Sequence, residues 1–363
     1  MASKTAQTLH VHVDIALQGG GSHGAFTWGV LDRLLEEDWI RIRGVSGTSA
    51  GAMNAVALAQ GLCQGGPTRA AELLSHYWSE VSDAAALSPI RRSPVDKFLG
   101  RWTLDFSPSY LASQIFGRVF SPYQFNPMDI NPLQEIVDNC FDFDVINASG
   151  AIKLFLCATN VRTGRPKIFR QPHITCDAVM ASACLPTLFK AVEIEGEAYW
   201  DGGYMGNPPL FPLIDETDAR DIILVQINPF ERPGVPKTAA EIENRLNEIT
   251  FNSSLIKELR SVGFLWEVIT HEGLDRAAYR DARLHMIEAE DELRDFGASS
   301  KLNAEPAFLE KLFDVGRRAA SDWLDTDGQK LGEEATWVPR DFFEESLQPA
   351  HLEPGTRTKA PPR

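Results

Sequence analysis

Gly47-Thr48-Ser49-Ala50-Gly51 ends an apolar run as a G-x-S-x-G pentapeptide, and Gly19-Gly20-Gly21-Ser22-His23-Gly24 lies shortly upstream of it. Both are devices of acyl-transfer chemistry. A serine hydroxyl becomes a useful nucleophile only when a base takes its proton and dipoles stabilise the oxyanion formed on attack. In a nucleophile elbow, a sharp strand-to-helix turn lifts that serine into the open, and small flanking residues such as Gly47 and Gly51 let the chain cross itself closely. The amides of Gly20, Gly21 and Ser22, at the end of a strand and the start of a helix, point outward with the helix N-terminus behind them, as an oxyanion hole requires.

Other readings of Gly19-x-Gly21-x-x-Gly24 fit less well. A dinucleotide fingerprint needs an acidic residue about 20 positions on, closing the second strand; Gly44-Val45-Ser46 stands there. A phosphate loop needs Gly-Lys-Ser/Thr, and His23-Gly24-Ala25 does not supply it. A glycine turn serving only helix packing, and a serine serving only as a helix cap, are the plain structural alternatives.

The base is harder to choose. Ser49 comes too early for the usual order of serine, acid and late histidine, and His173, His271 and His285 carry no local signature. His23 sits in the glycine loop, where it either touches substrate or takes a surface or capping role. Asp201 ends a strand, and Gly202 and Gly203 let the chain turn tightly behind it while leaving the carboxylate open. For it to accept a serine proton, burial must raise its basicity.

The elements that must position these residues follow from hydrophobic periodicity. Val11, Val13, Ile15 and Leu17 alternate with more polar neighbours into the glycines, a helical pattern from Phe26 follows, and Ile40, Ile42 and Val45 make a second strand before an alanine-rich helix over 50–62. Strand, helix, strand, helix signals a parallel α/β sheet. Residues 63–135 break the rhythm as a cap-like insertion. Further strands are expected over 153–159 and 221–228, hairpins near 162–165 and over 192–200, and a helix over 176–184. Beyond 230 the pattern is mainly helical to 347, with Ile242, Leu246, Ile249, Leu255, Ile256 and Leu259 as one stripe and Phe308, Leu312, Val315 and Ala319 as another; a short strand over 283–287 rejoins the sheet. Residues 1–11 read as an N-terminal arm and 348–363 as a disordered tail.

Composition excludes several classes. With 363 residues, 44% of them hydrophobic, the chain can bury one large core, or one core plus a smaller satellite. Its net charge of -15 argues against nucleic acid as a partner. Five cysteines (Cys63, Cys140, Cys157, Cys176 and Cys184), without C-x-x-C spacing, suggest neither disulfides nor a metal site and read as buried thiols. No secretory signal or membrane-length apolar run is expected, so the default address is the cytoplasm.

Together, Gly19-x-Gly21-x-x-Gly24, Gly47-x-Ser49-x-Gly51 and Asp201-Gly202-Gly203, in this order, resemble the patatin-like phospholipases. The resemblance covers residues 12–230 and extends to Leu156-Cys157-Ala158-Thr159-Asn160, 178–189 and 192–203. It implies a three-layer α/β/α fold with a mainly parallel sheet, and a Ser–Asp dyad with Ser49 as nucleophile and Asp201 as proton acceptor. It also implies an oxyanion hole from Gly19, Gly20, Gly21, Ser22 and Gly24, lipid ester substrates such as phospholipid or lysophospholipid, and no metal or cofactor. Family loops often carry Arg or Lys where His23 stands, which weakens an anionic contact or makes it pH-dependent. The third motif ends in Gly203 where alanine is common, a change expected to be neutral. The same site also suits a lipid acyltransferase, and a non-catalytic lipid-binding protein is the rival from another class.

Residues 91–125 hold eight aromatics (Phe98, Trp102, Phe106, Tyr110, Phe116, Phe120, Tyr123 and Phe125). They also hold Arg91, Arg92, Lys97, Arg101 and Arg118 against Asp96 and Asp105, a local charge of +3. Such a segment docks transiently and peripherally at a membrane surface, caps an acyl-chain groove, or packs its aromatics inward as a subdomain.

Overall fold

The computed structural model describes residues 10–86, 88–271, 281–340 and 342–343; the side chains of 114–116, 118, 240, 270 and 271 are outside that description. Nearly all of the expected N-terminal arm, the expected C-terminal tail, and the side chains of Phe116, Arg118 and His271 therefore lie outside the described residues.

Eight strands form one mixed sheet: β1 (Val11–Leu17), β2 (Ile40–Gly47), β3 (Lys153–Asn160), β4 (Pro166–Arg170), β5 (Val192–Ile194), β6 (Glu197–Asp201), β7 (Asp221–Val225) and β8 (Arg283–Ile287). Their order is β5-β6-β3-β2-β1-β7-β8, with β4 also paired to β3. The five strands from β3 to β8 along this order run parallel, while β4, β5 and β6 make the antiparallel edge. Both faces of the parallel part are covered. Val13, Ile15, Leu17, Ile223 and Val225 face one core, and Ala16, Ile222 and Leu224 face the other. The period of two divides each strand between two helical layers, so a continuous apolar run such as Ile222-Ile223-Leu224-Val225 suits a central strand. The result is a three-layer α/β/α fold with a helical C-terminal part. Among the described residues, no helix is long and apolar enough to cross a membrane.

The helix expected over 50–62 runs much further, over Ala50–Ala85, and bends at Gly66 (φ 75°, ψ -158°) ahead of Pro67. Proline suits the first turn of the second half, where its missing N–H is not needed. That half buries Leu73, Leu74, Tyr77 and Trp78, so much of the expected insertion is helix packed on the main core.

The first C-terminal stripe lies on helix Ala239–His271, and only its second half is buried. Leu255 and Leu259 meet Ile222 and Leu224 in the second core, whereas Ile242, Leu246 and Ile249 are exposed. The second stripe belongs to helix Pro306–Asp325, which buries Phe308, Leu312 and Val315. Here two glycines bring backbones together: a Cβ on Gly29 would stand 2.0 Å from the Phe313 carbonyl oxygen, and one on Gly316 would stand 2.0 Å from that of Phe26. Helix Pro306–Asp325 thus rests directly on helix Gly24–Leu34, which follows the glycine loop. Cys63 and Cys176 are only half-buried, against the expectation for all five thiols; Cys140, Cys157 and Cys184 are buried.

Candidate active site

β1 and β2 pair with Leu17 opposite Gly47, so the glycine loop and the serine turn leave the sheet at the same edge. This is the carboxyl edge, where open α/β sheets bind ligands. The chains cross with almost no separation. A Cβ on Gly51 would stand 2.3 Å from the Leu17 carbonyl oxygen, and one on Gly19 would stand 2.8 Å from the Ser49 Cβ.

Ser49 has φ 56° and ψ -124°, a strained conformation for a residue with a side chain. Its hydroxyl does not cap helix Ala50–Ala85, which removes the plain capping role. Its amide donates to Ser182 Oγ at 3.0 Å, and Thr48 Oγ1 donates to the Gly206 carbonyl at 2.6 Å. These bonds clamp the turn on both sides of the nucleophile position.

Asp201 ends β6, fully buried. Its amide donates to the Cys184 carbonyl at 2.8 Å, its carbonyl accepts from Thr159 Oγ1 at 2.8 Å, and Oδ1 accepts from the Gly203 amide at 2.7 Å. Oδ2 has no formed partner among the described residues. Ser49 nevertheless acts on this carboxyl as a hydrogen-bonding neighbour, without a contact of full geometry. Such contacts are often loose before substrate binds. Burial pushes the Asp201 carboxyl up to about 7, against smaller opposing effects of the Gly203 amide, the Ser49 hydroxyl and Lys301.

The glycine loop opens fewer amides than its sequence suggests. The Gly19 amide donates to Asn207 Oδ1 at 2.7 Å, and that of Gly24 turns back to the Gly21 and Ser22 carbonyls. Neither is therefore open to a substrate oxygen, which corrects the five-residue oxyanion set. Outside the helices and strands, the described backbone hydrogen bonds include none donated by the amides of Gly20, Gly21 or Ser22. The first amides of a helical turn lack internal partners. Gly21 is exposed and has φ 58°, a conformation that glycine adopts without strain.

Several buried amides that sequence reasoning missed hold this loop. Gln18 Oε1 accepts from the Ile227 and Asn228 amides, both at 2.8 Å, and Gln18 Nε2 donates to Asn252 Oδ1 at 3.1 Å. Asn228 Nδ2 donates to the Gly19 carbonyl at 2.9 Å. A signal existed: Gln18 and Asn228 are polar residues just beyond apolar strands, at the edge where the motifs lie.

The C-terminal part completes the surroundings. Gly21 abuts Lys301, whose carbonyl oxygen would stand 2.4 Å from a Cβ there. Lys301 Nζ donates to Asn228 Oδ1 and Asn247 Oδ1, both at 2.8 Å, and burial lowers its pKa to about 8. Phe251 covers Gly203 so closely that a Cβ would meet its ring at 2.2 Å, so the alanine common in the family would require that ring to shift here. His23 is 3% exposed. Ser300 Oγ donates to the Gly297 carbonyl at 2.8 Å, so it accepts from His23 Nε2 at 2.7 Å. Burial, then the charges of Lys301 and Arg232, lower the imidazole to about 3. His23 is therefore a neutral packing residue between Phe296 and Phe308, without the open face that a substrate contact needs. His285 is likewise structural, bonded to Asp221 and Thr336.

No curated protein sequence matches the chain. Among solved structures it is similar to VipD from Legionella pneumophila (TM-score 0.40, 14% identity, covering 88% of this chain and 67% of that one). It is also similar to the type III effector ExoU (TM-score 0.32, 16% identity, 87% and 53%) and to ExoU in its complex with SpcU from Pseudomonas aeruginosa (TM-score 0.31, 15% identity, 86% and 53%). The chain spans about half the length of the ExoU chains it matches. The family model for patatin-like phospholipase matches residues 15–214, more than half of the chain and both loops of the site, and the chain belongs to that family.

Proposed function

We propose that this chain is a serine acyl hydrolase of lipid esters, phospholipid or lysophospholipid, working through a Ser49–Asp201 dyad. The observation that carries the reading is a nucleophile hydroxyl free of its own helix cap, beside a buried carboxylate whose Oδ2 has no formed partner among the described residues. Ser49 Oγ attacks the ester carbonyl carbon and its proton passes to Asp201 Oδ2. The amides of Gly20, Gly21 and Ser22 receive the oxyanion; one such donor is typically worth about 3 kcal/mol of barrier. Collapse breaks the ester bond, and Asp201 returns the proton to the leaving alcohol. Water then attacks the acyl-serine and gives its proton to Asp201; collapse breaks the bond between the acyl carbon and Ser49 Oγ, Asp201 returns the proton to Oγ, and the fatty acid departs. A carboxyl held near 7 suits both halves, since it accepts and gives up a proton near neutrality.

The substrate is met at a lipid surface, with the chain peripheral to it. Ser49→Ala and Asp201→Ala should each abolish cleavage of p-nitrophenyl acyl esters while the near-UV circular dichroism stays native. Wild type should label with a fluorophosphonate and Ser49→Ala should not. Turnover retained in either variant overturns the dyad, and recovery of a new ester with added alcohol would identify a transferase instead.

A further inference from the structure

The aromatic, basic segment is divided by the fold in a way its sequence does not reveal. Of its two carboxylates one is buried and the other is half-buried and bonded to the C-terminal part. Asp96 is fully buried, with Oδ2 accepting from the Ser93 amide and hydroxyl at 3.0 and 2.7 Å, and Asp105 Oδ1 accepts from Ser299 Oγ at 2.7 Å. Arg92 is held too, on Glu305 and over the Trp102 ring. Arg91, Lys97 and Arg101 are exposed. Beside them Val95, Phe98, Leu99 and Phe106 are also exposed, Phe98 at 89%.

This exposure does not come from a loose loop. Leu104 is fully buried, its amide bonded to Ser299 Oγ at 3.0 Å, and the Trp102 carbonyl accepts from Asn303 Nδ2 at 2.9 Å. Trp102 stacks on Phe308. The segment is anchored through one set of apolar residues and presents another. Its anchor is the stretch 299–303, in which Ser300 holds His23 and Lys301 backs onto Gly21. The presented face and the glycine loop are therefore fastened to the same short stretch of chain.

We propose that residues 91–106 form a plate that docks on an anionic lipid bilayer. Phe98, with Val95 and Leu99, enters the boundary between headgroups and acyl chains, and Arg91, Lys97 and Arg101 meet the lipid phosphates. A surface that is locally cationic and apolar, with its acids engaged within the protein, is complementary to that boundary. The overall charge of -15 does not prevent this, because repulsion from distant acids is screened beyond about 8 Å at physiological salt. Three basic side chains at such a surface are worth on the order of a hundredfold in partitioning. The proposal rests on the lipid hydrolase reading for its purpose, but binding and turnover are measured separately.

Vesicle flotation of the full chain tests it, with phosphatidylcholine vesicles made with or without phosphatidylglycerol. Wild type should float with the anionic vesicles and release them as salt is raised. The double substitutions Phe98→Ser with Leu99→Ser, and Lys97→Glu with Arg101→Glu, should each lower partitioning at least about tenfold. Both should leave cleavage of a water-soluble p-nitrophenyl ester and the near-UV circular dichroism unchanged. Equal flotation of variants and wild type overturns the plate, as does failure of wild type to bind or binding without regard to lipid charge. A wild-type dimer that the Phe98 and Leu99 substitutions dissociate in the absence of vesicles would also overturn it, by making the face a contact between copies. If wild type floats as expected but cleaves no ester, the hydrolase reading fails and the docking surface stands.

Discussion

In water an aspartate holds its proton only below about pH 4, and the burial that moves Asp201 to about 7 affects activity and stability in opposite directions. As the proposed base it must be ionised, so kcat/KM for a soluble ester should rise with pH through about 7 and level off above, which a pH profile measures. For stability the sign is reversed. The folded pKa lies above the unfolded value of 3.8, so the native state binds the proton more tightly. That contribution is full below about pH 4 and is lost as pH rises to about 7, a change on the order of 4 kcal/mol. Asp201→Asn should therefore be inactive yet more stable than wild type at pH 8 than at pH 4, as urea midpoints will show. Gly203 is a second residue-scale test. Gly203→Ala should cost about 1–3 kcal/mol and reduce kcat, because the added methyl meets the Phe251 ring. Gly203→Ala combined with Phe251→Ala should recover much of that loss in a double-mutant cycle. The proposed roles of Ser49 and Asp201 were legible from local spacing, since glycines on either side of a serine, or after an aspartate, announce turns wherever they occur. The close approach of Phe251 was not, because 48 residues separate it from Gly203.

At the scale of elements, the strands and the longest helices followed from periodicity, whereas short helices such as Pro132–Cys140 and Phe143–Ala148 did not. Helix Ala239–His271 carries a continuous apolar stripe, but only the part over the sheet is buried. Periodicity reports which face is apolar and not what covers it. The packing of helix Pro306–Asp325 on helix Gly24–Leu34 gives a prediction against intrinsic propensity. An interior helical glycine replaced by alanine ordinarily gains up to about 1 kcal/mol. At Gly316 the new Cβ would lie 2.0 Å from the Phe26 carbonyl, so Gly316→Ala should destabilise, with a lower urea midpoint at unchanged slope.

Over the whole molecule, the family match ends at residue 214, yet the site draws on the chain far beyond it. Lys301 abuts Gly21, Ser300 holds His23, Phe251 covers Gly203, and Glu258 Oε2 accepts from the Leu210 amide at 2.6 Å. β8 also pairs along β7, where Arg283 and His285 both bond Asp221. A chain ended at residue 230 would lose these contacts and leave β7 as an open edge. It should lack native near-UV circular dichroism and fail to label with a fluorophosphonate, although it contains every residue of the proposed dyad and the glycine loop.

By itself the sequence determined a parallel α/β sheet and which residues could be proposed as nucleophile, base and oxyanion donors, because strand period, glycine turns and motif order are read along the chain; the three-layer α/β/α class came with the family resemblance. Tertiary structure decided the rest: that Gly19 and Gly24 have engaged amides, that His23 is buried and neutral, that Asp201 sits near neutrality, and which side chains of the basic segment face outward. Each of these depends on desolvation or on contact between residues far apart in sequence, and only the folded arrangement brings those residues together.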